Sequence, residues 1–252
     1  MAMYESYFKS FAAYLERGNY REVFFNALSK ISTDVKLAGV KSCLAIGPGD
    51  GWCEIEFLKH CEANISKFIG IEPEHALAEH LRTSLMSNLP GVESQVLETT
   101  VENWEGPGKP VDFIMMFQVL YHIEPGKRQE LLKKVHDSWL VSGGYLATLM
   151  ASDKKSPNSV NRIYENLGCT TEGTWGAIEA DFLKAGFTKQ YKHEMQTRTD
   201  FTDVGEDLLP FFQLEVKHRV ITLDDLREAI TGLPSGGMVD EFHTLVVFKS
   251  TN

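Results

Sequence analysis

Ser42-Cys43-Leu44-Ala45-Ile46-Gly47-Pro48-Gly49-Asp50-Gly51 decides how this chain folds. Cys43 to Ile46 form an unbroken apolar run, the pattern of a strand buried on both faces. Gly47, Gly49 and Gly51 then make a turn with almost no side-chain bulk. A second apolar run, Phe68-Ile69-Gly70-Ile71, stops at Glu72. Where two such strands lie parallel, their carboxyl ends put the bare turn and the carboxylate beside one cleft. Backbone amides of the turn can face a ligand there, and a carboxylate can accept both hydroxyls of a ribose. The pair therefore implies a nucleoside site, against the plainer reading of a glycine turn joining any strand to any helix.

The spacing narrows the nucleoside. A dinucleotide fingerprint has its last glycine at the sixth position, for close packing of helix on strand. Trp52 stands there instead. No G-x-x-x-x-G-K-[ST] loop occurs, and no lysine or arginine lies within residues 47–53 to meet a pyrophosphate. A nucleoside without phosphates fits better.

Strand and helix patterns alternate through the rest of the chain. Helical spacing covers 4–15, 19–31, 54–60, 75–86 and 127–139. Strand patterns cover 94–97, 111–117, 145–150, 188–195 and 242–248. Thr174 is placed to cap a helix ending near Lys184, and 201–233 reads as helical. This predicts an α/β fold, a doubly wound, seven-stranded, mostly parallel Rossmann-like sheet in a single domain spanning 1–252. Residues 1–36, 152–173 and 201–236 are extra to the repeating unit and read as helical lids at the ligand-binding edge.

The 252 residues carry a net charge of −10, which disfavours a nucleic-acid partner. The four cysteines are scattered without a C-x-x-C pair, so neither a zinc site nor a redox pair is supported. No stretch is apolar for long enough to span a bilayer, and the opening residues lack a leader pattern. The expectation is a cytoplasmic monomer acting on a small molecule, with no membrane partner. Glu74, His75, Glu79 and His80 share helical spacing, but as a solvated face, so no metal is expected.

The hydrophobic strand, G-x-G-x-G and an acid ending the next strand resemble the class I S-adenosylmethionine-dependent methyltransferases. Further runs resemble the histamine N-methyltransferase family in particular. They are Y-E-S-Y-F-K-S-F from Tyr4, Glu72-Pro73, Glu98-Thr99-Thr100, D-F-I-M-M-F-Q-V-L-Y-H-I from Asp112, and H-T-L-V-V-F from His243. The resemblance implies S-adenosyl-L-methionine as cofactor, S-adenosyl-L-homocysteine as product, and a small-molecule amine, imidazole or amino-acid-like acceptor. It implies that Gly47, Pro48, Gly49, Gly51, Glu72, Thr99, Thr100 and Phe117 line the cofactor. It further implies an acceptor pocket of Tyr4, Phe8, Gln118, Tyr121 and Phe212, to which Trp175 is added by its nearness in sequence to a lid. Each of these aromatics also has a plain reading as lid core.

Methyl transfer from a sulfonium is an in-line displacement, in which positioning supplies much of the rate and no dedicated nucleophile is required. Gln118 offers a carbonyl and an amide beside the reacting centre. The family's tyrosine after Tyr121 is His122 here, its asparagine before T-L is His243, and a glutamine following its acid is Leu77. The pocket has thus been rebuilt, and His122 and His243 become candidates for catalysis or acceptor binding. Two other readings stay open: an O-methyltransferase with a histidine base, and a non-catalytic cofactor-binding protein on the same fold.

Overall fold

Seven strands and nine helices are found among the residues that the computed structural model describes: 2–35, 37–169, 175–216 and 219–251, without the side chains of 2–8, 33, 214 and 215. The predicted Thr174 cap falls outside them. The sheet order is β3-β2-β1-β4-β5-β7-β6, with β1 Ser42–Ile46, β2 Lys67–Ile71, β3 Glu93–Leu97, β4 Val111–Phe117, β5 Leu140–Ala151, β6 Thr188–Asp200 and β7 Met238–Lys249. The order reverses direction at β1/β4, the switch point where ligands bind in open α/β sheets.

β1 runs parallel to β2 and β4, β2 to β3, and β4 to β5. The last strand runs the other way. Ser152 donates to Phe242 and Ser250 to Gly144, so β7 opposes β5. Thr188 meets Lys249, and Phe201 donates to Gly237, so it also opposes β6.

The start of β1 is fixed by one side chain. Asp112 on β4 accepts the backbone N–H groups of Lys41 and Ser42 and the Ser42 hydroxyl, at 2.9, 2.8 and 2.9 Å. That bond set registers the two central strands and so places the glycine turn that follows Ile46.

The chain divides into two compact units. The first comprises Met1–Asn26, Ser152–Glu172 and Met195–His243; the second comprises Ala27–Ala151, Gly173–Glu194 and Thr244–Asn252. The segments read as lids fall mostly in the first.

In the second unit, Leu44, Ile46, Ile114 and Met116 share one buried cluster with Trp175, Ile178, Phe182 and Phe248. Arg128 on α5 (Pro125–Lys134) forms a buried pair with Asp181 on α7 (Trp175–Lys184) at 2.7 Å. On α3 (Trp52–His60), Phe57 stacks 5.5 Å from Phe113. In the first unit, α1 (Ala2–Glu16) packs on α8 (Leu209–Glu215), and α6 (Val160–Asn166) on α9 (Leu223–Thr231).

Three strands differ from the sequence expectation. β5 starts at Leu140, not Tyr145, because Gly143 and Gly144 form a bulge within the strand rather than ending a helix. Register shifts between Val111↔Leu140 and Phe113↔Tyr145, and a Cβ on Gly144 would lie 3.0 Å from the Asp112 carbonyl. β6 continues beyond Met195 to Asp200, and β7 begins at Met238, not Phe242. Their extra residues are mostly polar and carry no apolar strand pattern.

Candidate functional site

The turn after β1 is made by left-handed glycines. Gly47, Gly49 and Gly51 have φ of 62, 59 and 79°, a region that costs an ordinary L-residue about 1–2 kcal/mol. Two of them also answer to packing. A Cβ on Gly47 would lie 2.5 Å from Val119 Cγ2, and one on Gly51 2.3 Å from Leu81 Cδ1. A Cβ on Gly49 meets nothing within 4 Å. The turn is therefore closed on two sides and bare at Gly49, where backbone can be approached from outside.

Glu72, only 5% exposed, stands across that bare position. Its Oε2 accepts the Gly49 N–H at 2.9 Å, and its Oε1 accepts the Glu74 N–H at 3.0 Å. Burial pushes its carboxyl up, and the two backbone donors pull it back. Each oxygen keeps a further lone pair for a hydroxyl. Glu72 is itself held by its N–H bond to Leu97 at the end of β3 (3.0 Å), just before the half-buried Thr99 and Thr100. Pro48 is buried beneath the turn.

The end of β4 reaches the same place. Val119 fills the space over Gly47, which sets Gln118 beside the glycine turn. Gln118 is half-buried and has φ 52°, one of two left-handed non-glycine residues among those described. Its N–H is fixed on the Leu149 carbonyl at 2.7 Å. Strained backbone of this kind persists where surrounding structure over-determines it, and it clusters at functional sites. Tyr121 and His122 follow on a short helical turn, exposed, with their rings 4.2 Å apart.

Several expected lining residues are placed elsewhere. Phe117 is buried against Phe57, with ring centroids 5.5 Å apart, which leaves little of its face for adenine. Trp175 is 2% exposed, packs on Phe182 and Phe248, and donates Nε1–H to Glu179 at 2.8 Å. It is core of the second unit rather than pocket wall. Phe212 is fully buried among Tyr164, Phe201 and Phe211, the core of the first unit. His243 is 6% exposed, and burial lowers its pKa to about 4. Tyr4 and Phe8 lie on α1, but their side chains fall outside the described residues.

Sequence reasoning missed Glu54. This first-turn residue of α3 is 2% exposed, and its Oε2 has no hydrogen-bond partner. Burial raises its pKa well above the ordinary value, and the charges of Asp50 and Glu72 raise it further. Its only sequence signal, an acid at a helix start, is the ordinary complement of the helix dipole. The face carrying His75 and Glu79 meets the end of β3. There Glu98 bonds His75 Nδ1 and Arg82, each at 2.8 Å. His75, Glu79 and Glu98 bring ligand-capable atoms within 4.8 Å of one another. Arg82 bonds both carboxylates, so a cation already occupies that acidic focus.

A bare left-handed glycine, a buried acid beside it and a strained residue at the adjoining strand end, on a sheet of this order, together could hold a nucleoside. The donor set suits S-adenosylmethionine: acids surround the turn, and no basic side chain stands in it. The methyltransferase-domain family matches residues 11–188, and the chain belongs to that family.

Among solved structures, a candidate methyltransferase from Bacillus halodurans aligns with TM-score 0.66 at 12% identity, over 90% of this chain and 99% of that one. The N-methyltransferase NodS from Bradyrhizobium japonicum, solved with S-adenosyl-L-homocysteine, aligns with TM-score 0.55 at 12% identity, over 91% and 88%. The [4+2]-cyclase SpnF aligns with TM-score 0.54 at 14% identity, over 89% and 80%. No curated protein matches the sequence. The protein is thus an S-adenosylmethionine-dependent methyltransferase. Gly47, Gly49 and Glu72 are residues that could hold the cofactor. When bound, the cofactor supplies an electrophilic methyl group on a sulfonium. Among the described residues, no helix is long and apolar enough to cross a membrane.

Proposed function

We propose that this methyltransferase acts as a cytoplasmic monomer on a small molecule, and that its acceptor atom is the nitrogen of an amine, imidazole or amino-acid-like compound. The reading draws on the runs that resemble the histamine N-methyltransferase family. The single structural observation that supports it most is Gln118, locked in a left-handed conformation beside the glycine turn. Its amide carbonyl can accept an N–H of the acceptor and so orient the nitrogen lone pair, which is the positioning an in-line displacement needs. The net charge of −10 and the absence of basic residues at the turn favour a small cationic acceptor over nucleic acid.

An oxygen acceptor would call for a base. His243, with a pKa near 4, is poorly matched to take a proton from a hydroxyl at neutral pH, and His122 is exposed at the surface. The nitrogen reading is tested with labelled cofactor against amines, imidazoles, amino acids, phenols and thiols. Nitrogen acceptors should be turned over. Gln118→Ala should lower kcat/KM by about ten- to a hundredfold with cofactor Kd unchanged. Turnover of phenols or thiols alone refutes it.

A further inference from the structure

Glu54 is a buried acid for which the fold has no evident use. It stands in the first turn of α3, where an acid ordinarily faces the helix N-terminus from solvent. That terminus is served by other groups. Gly51 is its N-cap and accepts the Ile55 N–H at 2.9 Å, and Asp50 Oδ1 accepts the Trp52 N–H at 3.1 Å. The Glu54 carboxyl takes only its own backbone N–H, and Oε2 is left buried without a hydrogen-bond partner. Such an oxygen weakens a fold, and an apolar side chain of like length would not carry that cost.

The charges around Glu54 are of one sign. Asp50 on the turn and Glu72 at the end of β2 both act on it. On β1, Cys43 is kept a neutral thiol by its burial, by Glu54 and by Asp112 of β4. β4 meets α3 through apolar rings, Phe113 and Phe117 against Phe57. α4 (His75–Asn88) brings Leu81 to the turn at Gly51, while its His75 and Arg82 are taken up by Glu98. On α3 itself, Lys59 and His60 pair with Glu56. Among the described residues, no lysine, arginine or histidine forms an ion pair with Asp50, Glu54 or Glu72. Burial and the two neighbouring acids therefore favour the neutral form of Glu54, and a positive charge brought to the turn would favour its carboxylate.

The two ligands of a methyltransferase differ by one such charge. S-adenosylmethionine carries it on a sulfonium bonded to the ribose, whereas the sulfur of S-adenosylhomocysteine is a neutral thioether. We propose that Glu54 is the residue by which this site distinguishes the sulfonium cofactor from its thioether product. On cofactor binding Glu54 releases its carboxyl proton to solvent, and the carboxylate offsets the charge that has entered. Once the methyl group and the positive charge have passed to the acceptor, Glu54 takes a proton back from solvent and ceases to favour the ligand. The inference rests on the cofactor and is independent of the acceptor atom. A unit charge about 10 Å from a carboxyl, at an effective dielectric of about 20, shifts its protonation about tenfold, which sets the scale. The sign with pH follows by linkage. At low pH Glu54 keeps its proton with either ligand and the preference is absent; as pH rises, the preference for the sulfonium grows.

The test is calorimetric titration of S-adenosylmethionine and S-adenosylhomocysteine into wild type and Glu54→Gln, from about pH 5 to about pH 9, in buffers of different ionisation enthalpy. In wild type the ratio of the product Kd to the cofactor Kd should rise about three- to tenfold across that range, with more proton release for cofactor than for product. In Glu54→Gln, which is neutral throughout, both differences should shrink to the part contributed by the ligands' own amino groups. Glu54→Met, for which a gain in stability is expected, makes the same comparison if the glutamine variant does not fold. A ratio that does not change with pH in wild type, or that changes equally in the variants, overturns the proposal. So does an equal loss of affinity for both ligands at every pH, which would make Glu54 a structural residue. Failure of wild type to bind either ligand would remove the cofactor assignment and the proposal with it.

Discussion

Alanine at Gly49 and at Gly51 should separate cofactor binding from folding. Both glycines are left-handed, so each substitution costs about 1–2 kcal/mol of backbone strain, offset by up to about 1 kcal/mol from a stiffer unfolded chain. At Gly49 that is the whole cost to the fold, because the new methyl meets no protein atom within 4 Å. At Gly51 the methyl meets Leu81 Cδ1 at 2.3 Å. Leu81 is fully buried, so its side chain has little free space into which to withdraw. Overpacking adds about 1–3 kcal/mol there. Gly49→Ala should therefore lower Tm by about 2–4 °C and Gly51→Ala by about 5–15 °C for a chain of this size. In calorimetry the order reverses in importance: Gly49→Ala should weaken S-adenosylmethionine at least tenfold, since its methyl stands in the approach to the bare backbone. A normal Kd for Gly49→Ala would show that the cofactor does not come to this glycine. Equal Tm losses would show that the packing difference between the two positions is wrong.

Glu72→Ala should weaken the cofactor at least tenfold and, by stripping the acceptor from the Gly49 and Glu74 N–H groups, lower stability by about 1–3 kcal/mol; urea unfolding and calorimetry on the same variant measure both. Glu54→Met should stabilise the protein by about 1–3 kcal/mol at pH 8, because an unbranched apolar chain replaces a buried carboxylate with an orphan oxygen. The sign with pH follows from the raised folded-state pKa: the folded protein holds the Glu54 proton more tightly than the unfolded chain, so the wild type loses stability as pH rises from the ordinary glutamate range through that higher value. The advantage of Glu54→Met should accordingly shrink toward pH 4, and an advantage that does not change with pH would mean that Glu54 is not the titrating group.

What could be read from sequence was whatever local chemistry dictates. A strand ending in spaced glycines has few solutions, and an acid at the next strand end has one neighbour to serve, so the turn, Glu72 and the sheet were legible. Burial is not local. Trp175 and Phe212 carry the same side chain whether they wall a pocket or fill a core, and only the packed structure shows that they fill cores. Glu54 reads as a helix-dipole acid until its burial is known. The polar runs Q-T-R-T-D and M-V-D-E hid the ends of β6 and β7, because alternation between a solvated outer face and a polar inner face leaves no apolar period to detect. The bulge in β5 was hidden for the opposite reason, since Gly143-Gly144 carries a stop signal that a strand can also absorb.

That difference in legibility follows the division of labour in the molecule. The cofactor is the same for the whole class, and the glycine turn that could hold it has a backbone geometry that admits little variation. The acceptor differs, and a fold shared at 12–14% identity with proteins of different reactions does not specify it. Acceptor choice must then be written in side chains that the sheet does not require. The inner face of residues 195–243 is polar yet partnered within the protein, Tyr14 donating to Glu241 and Thr197 meeting His243. Glu241→Leu, which strips the acceptor from the buried Tyr14 hydroxyl, should therefore lower stability by about 1–3 kcal/mol while cofactor affinity holds. An unchanged or raised Tm would mean that the Tyr14–Glu241 bond does not serve the fold.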